Sequence, residues 1–199
     1  MQRIRRLKDL PIISTALVII NCIIFLGGFF VQDQLHYLGG VQKTAIIEYR
    51  EYGRLLWAMF LHSDISHLFN NMIILFFLGS MLEKEVGHIW FALIYFISGI
   101  GGNIASLAYK AAKMDESLSI GASGAVFGLD GLLLALVMFS PGFRNFASPT
   151  RVLLMILLSL YNGFVGQNID NAAHVGGLVV GFVTGMIYIG FRKIIQKKH

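Results

Sequence analysis

Long apolar stretches separated by short polar connections run along most of the chain. Several approach the roughly 20 residues that a helix needs to cross a bilayer. Each is expected to be helical, because lipid offers no hydrogen-bond partners to the backbone. The pattern predicts an all-α polytopic membrane protein with a single six-helix domain over residues 1–199. The predicted spans are 11–31, 57–82, 89–112, 120–139, 152–165 and 172–191.

Composition also favours a membrane protein. The chain of 199 residues is 56% hydrophobic and 14% charged, whereas soluble domains average about 25% charged residues. A soluble protein of this size could not bury so much apolar surface in one core.

The first apolar stretch lacks a small-residue cleavage site, so we expect a retained span rather than a signal peptide. The single Cys22 excludes an intramolecular disulfide.

Basic residues flank the apolar stretches rather than forming a nucleic-acid surface, although the net charge is +5. Two groups of four lie before the first span and after the last: Arg3, Arg5, Arg6, Lys8, and Arg192, Lys193, Lys197, Lys198. Placing both termini in the cytoplasm puts eleven Lys and Arg inside and five outside, as the positive-inside rule requires. We therefore expect both termini to be cytoplasmic, in a bacterial-type plasma membrane.

Polar side chains within spans are costly and usually have a partner or a task. Four such residues are His67 and Asn71 in the second span, Ser123 at the start of the fourth, and His174 at the start of the sixth. The predicted topology has these three spans entering from the same side. It therefore places the four residues at similar depth, in the outer half of the membrane.

Ser123 has small neighbours, Gly121-Ala122-Ser123-Gly124. Small residues let another helix approach closely, and a base on that helix would make the serine a nucleophile. Free N–H groups at a helix N-terminus would also favour a developing oxyanion. The alternative is a packing serine, which is common in membrane helices.

A glycine stripe runs along the sixth span at Gly177, Gly181 and Gly185, and His174 shares its face. If the fourth span packs on this stripe, His174 meets Ser123 and can act as its base. The alternatives are glycines that serve packing alone and a histidine hydrogen-bonded to a loop.

His67 and Asn71 are four residues apart and project from one helix face. Both can donate hydrogen bonds to a tetrahedral oxyanion. A metal site formed by His62, His67 and His174 is the alternative. Because Asp64 is the only nearby acidic ligand, we expect no metal.

Three motifs together closely resemble those of the rhomboid intramembrane proteases. They are His67-Leu68-Phe69-Asn70-Asn71, Gly121-Ala122-Ser123-Gly124 and Ala173-His174-Val175-Gly176-Gly177. The resemblance implies a serine endopeptidase with Ser123 as nucleophile and His174 as general base, without a cofactor. It also implies an oxyanion hole formed by His67, Asn71 and the Ser123 N–H, and substrates that are transmembrane segments of other proteins.

The resemblance extends to residues that look structural in the family, namely Arg54, His62 and Glu83. Gly53 departs from the usual Trp-Arg pair, which puts the packing of the first outer loop in doubt. Phe127 stands where family members often carry a tyrosine that packs on the histidine.

Asp130, in the fourth span, has no role in this scheme.

Two other classes of function stay open. A catalytically silent rhomboid-like protein would bind membrane helices without cutting them. A small transporter would use His67, Asn71 and Asp130 along a pathway, but no inverted repeat is evident.

Overall fold

The computed structural model describes residues 10–143, 147–165 and 169–196. The predicted all-α architecture is confirmed, and these residues contain no strand, only one isolated bridge between Val41 and Ser119. Most of the terminal basic residues used to predict orientation, and Arg144, lie outside the described ranges. The α-helices in chain order are α1 (Ile12–Gly27), α2 (Gln32–Gly39), α3 (Lys43–Ile47), α4 (Arg54–Trp57), α5 (Ile65–Ile74), α6 (Ser80–Val86), α7 (His88–Lys113), α8 (Ser123–Phe139), α9 (Pro149–Val165) and α10 (Asn171–Gln196).

The second span is one continuous helical segment of 22 residues, Ile65–Val86. A π-helical turn, Leu75–Gly79, joins α5 to α6 within it. The segment begins at Ile65, later than the predicted residue 57, because Asp64 caps α5 there and accepts the His67 N–H at 2.9 Å. The preceding residues form the separate short helix α4 and a 3₁₀ turn, Ala58–Phe60.

Length and apolar character qualify three helical segments as membrane spans among the described residues: Ile65–Val86, α7 and α10. Helices α1 and α8 are apolar but shorter. The other helix ends differ from the predicted bounds by a few residues. The first helix ends at Gly27 rather than at residue 31, and α9 begins at Pro149 rather than at residue 152.

Helix α8 lies at the centre of the bundle. Twelve of its 17 residues are buried, as expected for a helix that is hydrophobic on all sides. A 17-residue helix is about 26 Å long, shorter than a hydrocarbon core of about 30 Å. Its first residue can therefore lie below the membrane surface while longer neighbours surround it.

Glycines bring α7, α8 and α10 into backbone contact. A Cβ at Gly177 would overlap the carbonyl oxygen of Gly124, and one at Gly181 would overlap that of Gly128. A Cβ at Gly102 of α7 would lie 2.6 Å from the carbonyl oxygen of Ala173. The glycine stripe of α10 therefore packs against α8, and there is no room for a side chain between them.

The loop between α1 and α5 packs over the start of α8. Arg54 is 7% exposed and its guanidinium donates to the carbonyls of Tyr37 at 2.5 Å and Gly40 at 3.1 Å and to Glu51 at 2.6 Å. Backbone hydrogen bonds of 2.8 and 3.0 Å join Val41 to Ser119. Arg54 thus holds the loop in place. It does so although Gly53, which departs from the expected Trp-Arg pair, offers no side chain for packing.

Candidate active site

Ser123 is the first residue of α8, after a tight turn. Gly121 in this turn has a φ of +128°, a conformation that favours glycine. A Cβ at this position would also lie 2.7 Å from Nε2 of His67 and 3.7 Å from Oγ of Ser123. Its N–H donates to the carbonyl of Ala58 at 2.9 Å. The loop that precedes α5 therefore fixes the turn that presents Ser123.

His174 lies in the first turn of α10 and is 8% exposed. Asp170 caps this turn, because its Oδ1 accepts the N–H of Ala173 at 2.9 Å. Its other carboxylate oxygen accepts the hydroxyl of Ser106 on α7. The helix that carries the histidine is thus tied to α7 four residues before the imidazole.

The imidazole Nε2 of His174 lies 2.9 Å from Oγ of Ser123, although 51 residues separate them in sequence. When the serine hydroxyl donates, Nε2 accepts, and the proton of the neutral ring resides on Nδ1. Nδ1 is buried and has no hydrogen-bond partner among the described residues. The pair is therefore placed for proton transfer from Ser123 to His174 without a carboxylate bonded to the ring.

Phe127 covers one face of this imidazole. Its ring lies one turn after Ser123 on α8, and it stacks on His174 with centroids 4.3 Å apart and planes 18° apart. Stacking on a fixed aromatic ring restricts rotation of the imidazole out of the plane that points Nε2 at Ser123.

His67 and Asn71 lie on α5, next to the turn before Ser123. The His67 ring adjoins Gly121. Asn71 is 5% exposed, and its Nδ2 donates to the carbonyl of His67 at 3.1 Å. An amide nitrogen carries a second hydrogen that is available for another acceptor.

Two residues before α5 orient His67. The Ser63 hydroxyl donates to Asp64 Oδ2 at 2.7 Å and lies 3.1 Å from Nδ1 of His67. Because its one hydrogen goes to Asp64, the Ser63 oxygen accepts from His67 Nδ1–H. The His67 N–H and the Ser63 hydroxyl together hold the pKa of the Asp64 carboxyl below its usual value. A chain of hydrogen bonds thus joins a carboxylate, a hydroxyl and the imidazole.

The residues predicted to be structural lie at different distances from this site. The His62 ring is 2% exposed and meets the His67 ring edge to face at 5.0 Å, so it supports His67 from behind. Arg54 holds the loop described above. Glu83 lies near the other end of the second span, where its carboxylate caps α1 by accepting the N–H groups of Ile13 and Ser14, both at 2.8 Å.

Sequence reasoning did not identify Ser63, Asp64, Ser106 or Asp170 as part of this arrangement. The available signal was an acidic residue just before a helical stretch, which indicates an N-cap. That signal marks both Asp64 and Asp170, each placed within four residues of a site histidine. Ser106 gave no comparable signal, because its contact with Asp170 spans 64 residues.

Asp130 lies two turns beyond Ser123 on α8 and is 6% exposed. No hydrogen bond or ion pair of its carboxylate occurs within the described residues, so the structure assigns it no part in the site. The same ranges contain no group of three or more His, Cys, Asp or Glu side chains able to hold a metal ion.

Comparison with known proteins matches the region around this site to one family. Residues 49–191 match the Rhomboid domain. The chain is 35% identical over 156 residues to RHOMBOID-like protein 4 of Arabidopsis thaliana, an alignment covering 78% of this chain and 39% of that protein.

Two further relatives support this assignment. RHOMBOID-like protein 2 of Arabidopsis thaliana is 37% identical over 157 residues, covering 78% of this chain and 48% of the relative. The Rhomboid protease GluP of Bacillus subtilis is 36% identical over 143 residues, covering 72% and 27%. The chain thus spans less than half the length of each of these three relatives. With a Rhomboid match over most of its length, this helical integral membrane protein belongs to the rhomboid family.

Proposed function

We propose that the protein is an intramembrane serine endopeptidase that cleaves transmembrane segments of other membrane proteins with a Ser123–His174 dyad. The observation that carries this proposal is the 2.9 Å contact between Oγ of Ser123 and Nε2 of His174. The similarity to a relative named as a rhomboid protease supports it.

In the first step, Ser123 Oγ attacks the carbonyl carbon of the scissile peptide bond while His174 Nε2 takes the hydroxyl proton. The carbonyl oxygen becomes an oxyanion. The protonated His174 then gives its proton to the leaving amine as the C–N bond breaks. The product is an acyl-enzyme on Ser123.

The oxyanion is stabilised by donors that converge at the start of α8. The N–H of Ser123 occupies a first-turn position, where the helix has no carbonyl to accept it. The Asn71 amide on the neighbouring α5 supplies a side-chain donor. The His67 imidazole supplies another from Nε2 when the ring is protonated, because its Nδ1–H is directed at Ser63. In the second step a water molecule gives a proton to His174 and attacks the acyl carbon. The ester bond to Ser123 then breaks, Ser123 Oγ takes the proton from His174, and the carboxyl product leaves.

The position of Ser123 within the bundle supports the proposed substrate class. Ser123 opens a short helix that longer neighbours surround, which fits a scissile bond that enters below the membrane surface. With both termini in the cytoplasm, this end of α8 lies in the outer leaflet. A substrate helix therefore approaches laterally and unwinds near that leaflet to expose one peptide bond.

Reconstitution in liposomes with a transmembrane reporter substrate tests the proposal. Ser123→Ala should abolish cleavage, and Ser159→Ala, which changes an exposed serine on α9, should leave it intact. A fluorophosphonate probe should label the wild-type protein but not Ser123→Ala. If the wild-type protein neither cleaves nor reacts, it is a silent helix-binding member of the family. If Ser123→Ala cleaves normally, the dyad is not the catalyst.

A pH profile tests the base separately. Protonated His174 cannot accept the serine proton, so kcat should fall on the acid side of the profile. A rate with no acid limb at any pH at which the protein stays folded would argue against a histidine base.

A further inference from the structure

A groove opens at the end of the bundle opposite to Ser123. It consists of two adjoining cavities of about 560 and 480 Å³ that share Met81, Glu85 and Phe143. We call it the basal groove. Its walls are α6, the 3₁₀ turn Pro141–Phe143 and the last turns of α10.

The direction of the helices shows which end this is. The second span, α8 and α10 each begin next to the site and end at the basal groove, at Val86, Phe139 and Gln196. The groove therefore lies where two candidate membrane spans and the shorter helix α8 end, at the level of lipid headgroups rather than in the hydrocarbon.

Cations outnumber anions along the groove. Its charged lining residues are Lys84, Glu85, Arg192 and Lys193. Glu85 is engaged by Arg192, whose Nη1 donates to Oε1 at 2.6 Å. Lys84 and Lys193 are exposed, and neither has a carboxylate within salt-bridge distance among the described residues. The walls thus present two uncompensated positive charges.

The groove becomes apolar toward the middle of the membrane. Phe76 and Phe77 line it and are 46% and 69% exposed. They precede Lys84 by seven to eight residues, which is about 10 Å along a helix. A ligand that fills the groove must therefore be anionic at one end and apolar at the other.

We propose that the basal groove binds an anionic phospholipid of the bilayer, with its phosphate between Lys84 and Lys193 and an acyl chain along Phe76 and Phe77. Basic pockets between spans at a membrane surface have the right chemistry for such headgroups. A free phosphate would use the lysines but leave both phenylalanines uncovered. The inference is independent of the proposed protease activity, because no residue of the groove belongs to the site.

Native mass spectrometry of the purified protein tests the proposal by measuring lipid binding. Dioleoyl phosphatidylglycerol and dioleoyl phosphatidylcholine carry the same chains and differ in headgroup charge. Wild-type protein should retain the anionic lipid preferentially. Lys84→Gln/Lys193→Gln should weaken its binding roughly 30-fold, which corresponds to the loss of two cations near a membrane surface at about 1 kcal/mol each. Binding of the zwitterionic lipid should not change.

A matched control removes two charges from the opposite end of the protein. Arg50→Gln/Lys113→Gln changes exposed residues near the site end and should bind the anionic lipid like the wild type. Equal loss in both double variants would show a general charge effect and overturn the proposal. Equal retention of the two lipids by the wild type would also overturn it. Inorganic phosphate should not displace the lipid; full displacement would identify an anion site without a lipid component.

Discussion

The α8–α10 interface and helix α9 differ in how they are held in the bundle. Between α8 and α10, glycine backbones touch, and a Cβ at Gly177 or Gly181 would overlap a carbonyl oxygen. Helix α9 instead exposes large apolar side chains such as Leu158 and Tyr161, which are 63% and 64% exposed. Backbone atoms set the distance between α8 and α10. The outer face of α9, by contrast, consists of side chains that face lipid.

The proposed dyad is positioned by close backbone contacts of the first kind. Ser123 and His174 stand on α8 and α10, and Ser106 of α7 fixes the capping residue Asp170. Side chains can change rotamer, but backbone carbonyls held in helices cannot move away. The difference indicates that the 2.9 Å distance is maintained by glycine packing, and that α9 can be altered with little effect on it.

The largest expected effect comes from breaking the tight interface at Gly177. In Gly177→Ala the new methyl group meets the Gly124 carbonyl one residue after Ser123, so α10 must shift. A displacement of about 1 Å at a catalytic pair can cost 100-fold in rate. We expect kcat/KM for a reconstituted transmembrane reporter to fall by about that factor, with a lower Tm.

Gly190→Ala is the matched control, because it makes the same change in the same helix where a Cβ meets open space. Activity should stay within about twofold of the wild type, and the Tm should not fall, since alanine favours a helix by about 1 kcal/mol over glycine. Gly177→Ala with wild-type activity would show that the interface does not fix the dyad.

This interface was partly predictable from sequence. The four-residue repeat of Gly177, Gly181 and Gly185 predicts a close-packed face, and helical periodicity places His174 on it. Which helix packs there was a conditional prediction, because glycines carry no information about their partner. Composition indicates clearly which segments insert into a membrane. Which helices pair, however, depends on the complementarity of two surfaces that are far apart in sequence.

Other features could not be predicted for a different reason. The positive φ of Gly121 occurs in a turn whose N–H is anchored to the carbonyl of Ala58, a contact across 63 residues. The start of the second span at Ile65 depends on Asp64 as a cap, which hydropathy does not register. The local apolar pattern therefore predicted the helices, whereas the Asp64 cap and the long-range contact of Gly121 depend on polar groups that hydropathy does not register.

Phe127 lies at the edge of the tight interface and gives the next largest effect. Aromatic stacking contributes about 0.5–1.5 kcal/mol beyond burial, so Phe127→Leu should lower kcat up to roughly tenfold by freeing the His174 ring. Phe127→Tyr keeps the ring and should retain the wild-type rate. Single-turnover cleavage measures this step. Equal rates for the leucine and tyrosine variants would exclude stacking as the cause.

Asp64 caps α5, the helix that carries His67 and Asn71. Its substitution should have a smaller effect. Asp64→Ala removes the cap of α5, which costs about 1 kcal/mol, while Asp64→Asn keeps a capping oxygen. Because the pKa of Asp64 is lowered in the folded protein, its stabilisation is complete above the unfolded pKa. It is lost as pH falls through the folded value, below the ordinary 3.8.

Thermal unfolding at pH 7 and at about pH 3 checks this prediction. At pH 7 the Tm should be highest for the wild type, lower for Asp64→Asn and lowest for Asp64→Ala. At the lower pH the difference between the wild type and Asp64→Asn should shrink. A difference that grows on acidification would mean that the Asp64 carboxylate does not stabilise α5.

The smallest effect is expected on the exposed side of α9. Leu158→Ala removes atoms that face lipid, and because lipid is as apolar as leucine, burial between helices gains little there. The free energy of unfolding should change by less than about 0.5 kcal/mol. Ile156→Ala is the control on the same helix, since Ile156 is 1% exposed and its truncation leaves a cavity that costs about 2 kcal/mol or more. Equal losses for the two variants would mean that α9 is packed on both faces, and the contrast with the α8–α10 interface would then reduce to glycine content alone.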